Sequence, residues 1–186
     1  MATYSFVSAW TIAAPPEDVW EFIGDPLRWK LFWPGLEDAR LLDEDPGNVY
    51  EFVFKSFLPF RLTFRGRMTS KEPPRRLVIE TQGQLEGIGA IDLERRLDGS
   101  TYGRMTWNTR STLLWMNLSA PLLRGFFEWN HDLLMERARG GLARRLDAPV
   151  IETEPGSASL VRALLPFAAL AGFVWGVARL RRRISS

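Results

Sequence analysis

Few residues in this chain could carry chemistry, and their scarcity is informative. His131 is the only histidine and there is no cysteine, so a metal site would lack its usual nitrogen and sulfur ligands. Thiol catalysis, disulfides and cysteine-based zinc sites are excluded. No Gly-x-Ser-x-Gly turn is present to offer His131 a serine nucleophile. Two roles remain for the histidine: a structural or solvated ring at the edge of a helix stripe, or an acid/base group. Asn130, its neighbour, falls within that apolar stripe, where a buried amide must find partners. It either caps nearby strand backbone or offers a bound ligand one polar handle. Glu51, Asp92 and Glu94 alternate onto outward strand faces, so no paired-carboxylate site is expected. Gly83, Gly87 and Gly89 lie inside strands with no Lys-Ser/Thr after them. Their spacing fits bends that let a sheet curl and does not fit a phosphate cradle.

What the chain has in abundance is large apolar side chains. It is 46% hydrophobic and 12% aromatic over 186 residues, with eight Trp and twelve Phe. That is enough for one domain and an appendage, and such rings either fill an aromatic core or line a cavity. The elements that would position them follow from periodicity. Residues 4–13 alternate as a strand, and Pro15-Pro16-Glu17-Asp18 opens a helix. A second short helix over 26–33 carries Trp29, Phe32 and Trp33, which read as a hydrophobic plug. Strands are expected over 37–42, 49–57, 60–69, 75–83, 85–97 and 101–114, with one apolar face and one wet face, hence antiparallel. A closing helix is expected over 118–146, with an apolar stripe that includes Leu123, Phe127, Asn130 and Leu134. Tyr50, Phe52, Phe54, Phe64, Met68, Met105, Trp107 and Thr109 fall on the inward faces. Almost no ionisable group shares those faces, which weighs against proton-transfer catalysis. Thr109, Asn130 and either Tyr50 or Arg95 are the only polar groups placed to face inward.

The segment from Ile12 to Pro26, with Trp29 and Trp33-Pro34-Gly35, resembles the opening of the polyketide cyclase/dehydrase and lipid-transport group of the START-like superfamily. Trp129-Asn130-His131 through Leu146 resembles that superfamily's closing helix, and the resemblance covers about residues 3–147. It implies an α+β helix-grip fold, in which a curved antiparallel sheet of about seven strands holds the long helix and encloses an apolar cavity. The ligand residues it points to are Tyr50, Phe52, Phe54, Phe64, Met68, Met105, Trp107, Thr109, Phe127, Asn130 and Leu134, with Trp29, Phe32 and Trp33 at the entrance. Function is expected to be binding of a lipid or other apolar molecule, without metal or cofactor. The rivals are an aromatase/cyclase-type enzyme and a protein-interaction module.

Charge is unevenly spread. Residues from Ile151 onward hold five Arg and two Glu, a net +3, leaving −1 on the first 150. The basic character therefore belongs to the tail, which weakens a nucleic-acid reading. The expected organisation is a ligand-binding domain over 1–148, a linker over 149–159 and a hydrophobic tail over 160–186. Ala163–Ala178 is a 16-residue run without charge, flanked by Arg162, Arg179 and Arg181–Arg183. Such a run suits a helix over 160–183 that spans a membrane, with a shallow or re-entrant anchor or an extra core helix as alternatives. The first residues lack the pattern of a signal peptide, so the domain is expected on the cytoplasmic side.

Overall fold

The computed structural model describes residues 3–43, 48–55 and 61–153, without the side chains of 115, 116 and 119–123 in the long helix. The expectations for the tail 160–186, for most of the linker and for the Leu123 side chain lie outside these residues. Among the described residues no helix is long and apolar enough to cross a membrane.

Eight strands form one antiparallel sheet: β1 (Thr3–Ile12), β2 (Leu36–Asp43), β3 (Val49–Lys55), β4 (Arg61–Glu72), β5 (Arg76–Gly83), β6 (Leu85–Arg95), β7 (Thr101–Ser111) and β8 (Val150–Thr153). Their spatial order is β2-β3-β4-β5-β6-β7-β1-β8. Each step from β2 to β7 joins sequence neighbours, and β1 then pairs along its whole length with β7. Alternation puts Tyr50, Phe52 and Phe54 on the same face as Phe64, Leu77 and Ile79, all buried. Charged residues such as Arg65, Arg67 and Glu80 take the other face.

Two short helices follow β1. In α1 (Pro16–Ile23) prolines precede and open the first turn, and Glu17 and Asp18 complement the dipole. Pro26–Leu31 is a 3-10 helix, shorter than the expected 26–33, and the Asp25 side chain accepts from the Leu27 N–H at its start. Helix α2 (Leu114–Leu146) begins four residues earlier than the stripe suggests. The reason is local: the Leu113 N–H donates to Ser111 Oγ and Asn117 Nδ2 donates to the Ser111 carbonyl. The helix ends on Asp147 in the left-handed conformation.

Beyond it, Val150–Thr153 returns as an edge strand beside β1, within the span expected to be linker. The sheet therefore has eight strands and not seven. Arg95, weighed as an inward polar group, is exposed and paired with Glu17 on α1.

Helix α2 seats against the rest at two places. Toward its C-terminus, Ala138, Leu142 and Ala143 join the main core, and Gly141 comes so close to Phe32 that a Cβ would run into the Phe32 carbonyl oxygen. Toward the other end, Phe127 meets Tyr4 edge-on and belongs to a small second core with Tyr4 and Phe6. Gly140 differs from Gly141, for a Cβ there meets only an Arg144 nitrogen at 3.5 Å. Helix propensity favours alanine over glycine by about 1 kcal/mol. Gly140→Ala should therefore be neutral or stabilising by up to about 1 kcal/mol, whereas Gly141→Ala should destabilise. Urea unfolding of both variants checks this, and an equal response would mean that α2 is not seated on Phe32.

Candidate ligand-binding cavity

Between its two seats α2 does not close onto the sheet. The space left there is a cavity of about 130 Å³, measured as room for the centre of a water-sized sphere. A single water needs about 10–15 Å³ on that measure. The walls explain why the space stays open. Trp29 stacks on Phe52 (5.5 Å between centroids, 12° between planes), and Phe54 stacks on Phe64 (5.7 Å, 3°). Phe64 in turn meets Trp107 at 5.7 Å. Rings locked against one another cannot rotate inward to fill a gap between them.

The structure brings most of the expected pocket residues to this lining: Phe52, Phe54, Phe64, Met105, Trp107, Thr109, Phe127, Asn130 and Leu134. Trp29 and Trp33 line it too, both buried. Three expected residues do not reach it. Tyr50 is buried in the sheet's core with its hydroxyl bonded to Asn48. Met68 is half-buried beside a register shift in β4. The Phe32 ring meets Phe22 edge-on under α2.

The lining also includes residues that sequence reasoning missed, notably Tyr4, Phe6 and His131. His131 does not sit at a solvated helix edge. It is 7% exposed and stacks on Phe6 with centroids 3.9 Å apart and planes 12° apart. A signal for it exists in the sequence, since Phe127, His131 and Met135 recur every four residues and share the helix face that carries Asn130 and Leu134. The lining therefore does include an ionisable ring, contrary to the inference from the strand faces alone.

The lining residues carry few polar side-chain atoms, and four of those have no partner. Thr109 Oγ1 donates to the Glu86 carbonyl and Thr81 Oγ1 to that of Gly87. Tyr4 Oη, Trp33 Nε1, Trp107 Nε1 and His131 Nε2 are buried with no hydrogen-bond partner among the described residues. Trp29 shows the contrast, because its Nε1 donates to the Ile23 carbonyl at 2.9 Å. Burial pushes the Tyr4 phenol up from its usual value, partly offset by Arg124, so it is a neutral donor at ordinary pH. Both indole N–H groups can only donate. A buried donor left unpaired costs about 1–3 kcal/mol, so four unpaired polar atoms carried by residues of one apolar lining are a substantial free-energy cost. Among the described residues no group of three or more His, Asp or Glu could hold a metal ion.

A curved antiparallel sheet gripping one long helix over an apolar cavity defines a helix-grip, START-like protein. The chain belongs to the family of polyketide cyclases/dehydrases and lipid-transport proteins, whose model matches residues 3–147. Solved structures agree on the fold. The protein TTHA0849 from Thermus thermophilus superposes with a TM-score of 0.63 at 17% identity, covering 77% of this chain and 97% of that one. The Zhui aromatase/cyclase from Streptomyces sp. R1128 gives 0.61 at 18%, covering 78% and 96%. The di-domain aromatase/cyclase BexL of the BE-7585A biosynthetic pathway gives 0.60 at 18%, covering 79% of this chain and 51% of that one. At these identities the likeness is one of fold. No curated protein matches the chain.

Proposed function

We propose that the domain binds an apolar small molecule that carries hydrogen-bond acceptors, such as carbonyl or ether oxygens, within its cavity. The observation that carries this reading is the set of unspent polar atoms on an otherwise apolar lining. Three of the four are donors, so the complementary ligand presents acceptors. A saturated hydrocarbon chain would leave all of them unpaired. A cavity also weighs against a module that acts only through its outer surface.

A second reading, an aromatase/cyclase-type enzyme, is favoured by the burial of His131 on the lining, since a cyclisation or dehydration needs a group that moves protons. The relatives named as aromatase/cyclases make it equally attractive. The fate of an added polycarbonyl compound separates the two. Recovery unchanged supports a carrier, and recovery lighter by one water supports an enzyme.

The probe pair for the binding reading is naphthalene and 1,4-naphthoquinone, similar in shape but with acceptors only on the quinone. One hydrogen bond contributes about 0.5–1.5 kcal/mol net, or roughly two- to tenfold in affinity. By calorimetry, Trp107→Phe and Trp33→Phe should each weaken the quinone by about that factor and leave naphthalene unchanged. Equal losses for both probes, or none, would contradict the role given to these atoms.

We further propose that residues 160–186 bring the domain to a membrane. The support is sequence alone: an uncharged run from Ala163 to Ala178, with arginines on both sides that can reach lipid headgroups. The full chain should sediment with membranes, and a version ending at Gly156 should not. Equal solubility of the two without detergent would refute the anchor.

A further inference from the structure

Strand β1 is covered unequally on its two sides. Strand β7 pairs with it from Thr3 to Ile12, but on the other side β8 reaches only Trp10, Thr11 and Ile12. Two contacts show which backbone groups face that second side. The Ala13 N–H donates to the Pro149 carbonyl, and the Thr3 carbonyl accepts from Arg124 of α2 at 2.7 Å. Backbone groups alternate along a strand, so those of Ser5, Val7 and Ala9 point the same way as those of Thr3 and Ala13. Among the described residues no strand pairs with Ser5, Val7 or Ala9 on that side. Val7 is 41% exposed. An unpaired sheet edge is a template for another strand, and native folds cover or blunt it.

The chain itself supplies an occupant. Strand β8 runs antiparallel to β1 and ends at Thr153, opposite Trp10, so the chain is heading along this edge toward Thr3. Continued in that register, Glu154 falls opposite Ala9, Gly156 opposite Val7 and Ala158 opposite Ser5. Pro155 falls opposite Ser8, where a strand residue points its N–H away from β1. Proline has no N–H to lose there, and an edge strand tolerates it in that orientation. Gly156 and Ala158, which would bond to β1, each carry an N–H. The segment is continuous with β8, so no loop has to be closed to bring it to the edge.

We infer that residues 154–158 extend β8 along β1 from Ala9 to Ser5, so that the chain leaves the domain beside Thr3. The stretch that reads as linker by composition is then a fixed strand. Thr3 lies opposite Arg110, near the end of β7, so the tail departs from the end of the sheet where α2 begins. Leu114 and Leu118 stand exposed in the first turns of that helix. Held in this way, the domain presents one end to whatever the tail binds. The inference does not depend on what occupies the cavity or on whether the tail meets a membrane.

The chain has no cysteine, so introduced cysteine pairs report on this register without background. In the full chain carrying Val7→Cys and Gly156→Cys, the two Cα atoms would lie about 5.5 Å apart, a separation that a disulfide spans. Mild oxidation should close an intramolecular bridge about tenfold faster than in Val7→Cys with Ser157→Cys, because a one-residue shift turns the side chain to the opposite face. Amide hydrogen exchange reads the same pairing without a bridge. The Val7 N–H should be protected in the full chain, and Gly156→Pro should speed its exchange about tenfold whereas Pro155→Ala should not. Equal rates of closure in the two cysteine pairs overturn the inference. So do bridges formed mainly between molecules, which would place a second copy on the edge, and a Val7 amide that Gly156→Pro leaves unchanged.

Discussion

The two-point seating of α2 is the constraint on which the rest of the structure depends. Near its C-terminus the helix has no freedom, because Gly141 lies against the Phe32 backbone and Leu142 is 2% exposed. Near Phe127 it rests on Tyr4 and Phe6, a small cluster separate from the main core. A stiff helix held at two separated places cannot sag between them, and the curled sheet beneath recedes from it. The cavity is what geometry leaves over, and the stacked rings of β3, β4 and β7 keep it from collapsing.

That space has a definite polarity. Four buried polar atoms without partners would be a costly error in a core that existed only to fold. Replacing Trp107 by phenylalanine, or His131 by leucine, would remove the unpaired groups and still fill much of the same volume. Their presence makes sense if something else completes their hydrogen bonds. The thermodynamic cost of the unliganded lining then becomes selectivity, because a ligand lacking acceptors cannot relieve it.

Much of this is legible in the sequence, and the reasons differ by element. Period-two alternation in β3, β4 and β7 puts Phe52, Phe54, Phe64 and Trp107 on one face, because a one-residue slip would move every side chain to solvent. Alternation says which face, not how far along it a cavity extends. Tyr50 and Met68 share the face but lie outside the lining for that reason. Tyr4 and Phe6 obey the same alternation, yet only the pairing of β1 with β7 brings them beside Trp107 and Thr109. His131 escapes a reading based on a narrow seam because the helix face over the cavity is broader than that. Strand β8 is four residues long and precedes a Pro-Gly-Ser stretch, so nothing local distinguishes it from linker; its pairing with Trp10–Ile12 is a tertiary effect.

The central claim is that this cavity selects an apolar molecule by its acceptors. Its most direct test is mass spectrometry of whatever small molecule leaves with the full chain after gentle purification and is released on denaturation. The account predicts a compound with an apolar skeleton bearing carbonyl or ether oxygens, present in stoichiometric amount and reduced in Trp107→Phe and Trp33→Phe. Recovery of only saturated hydrocarbon chains retained equally by all three proteins would contradict it.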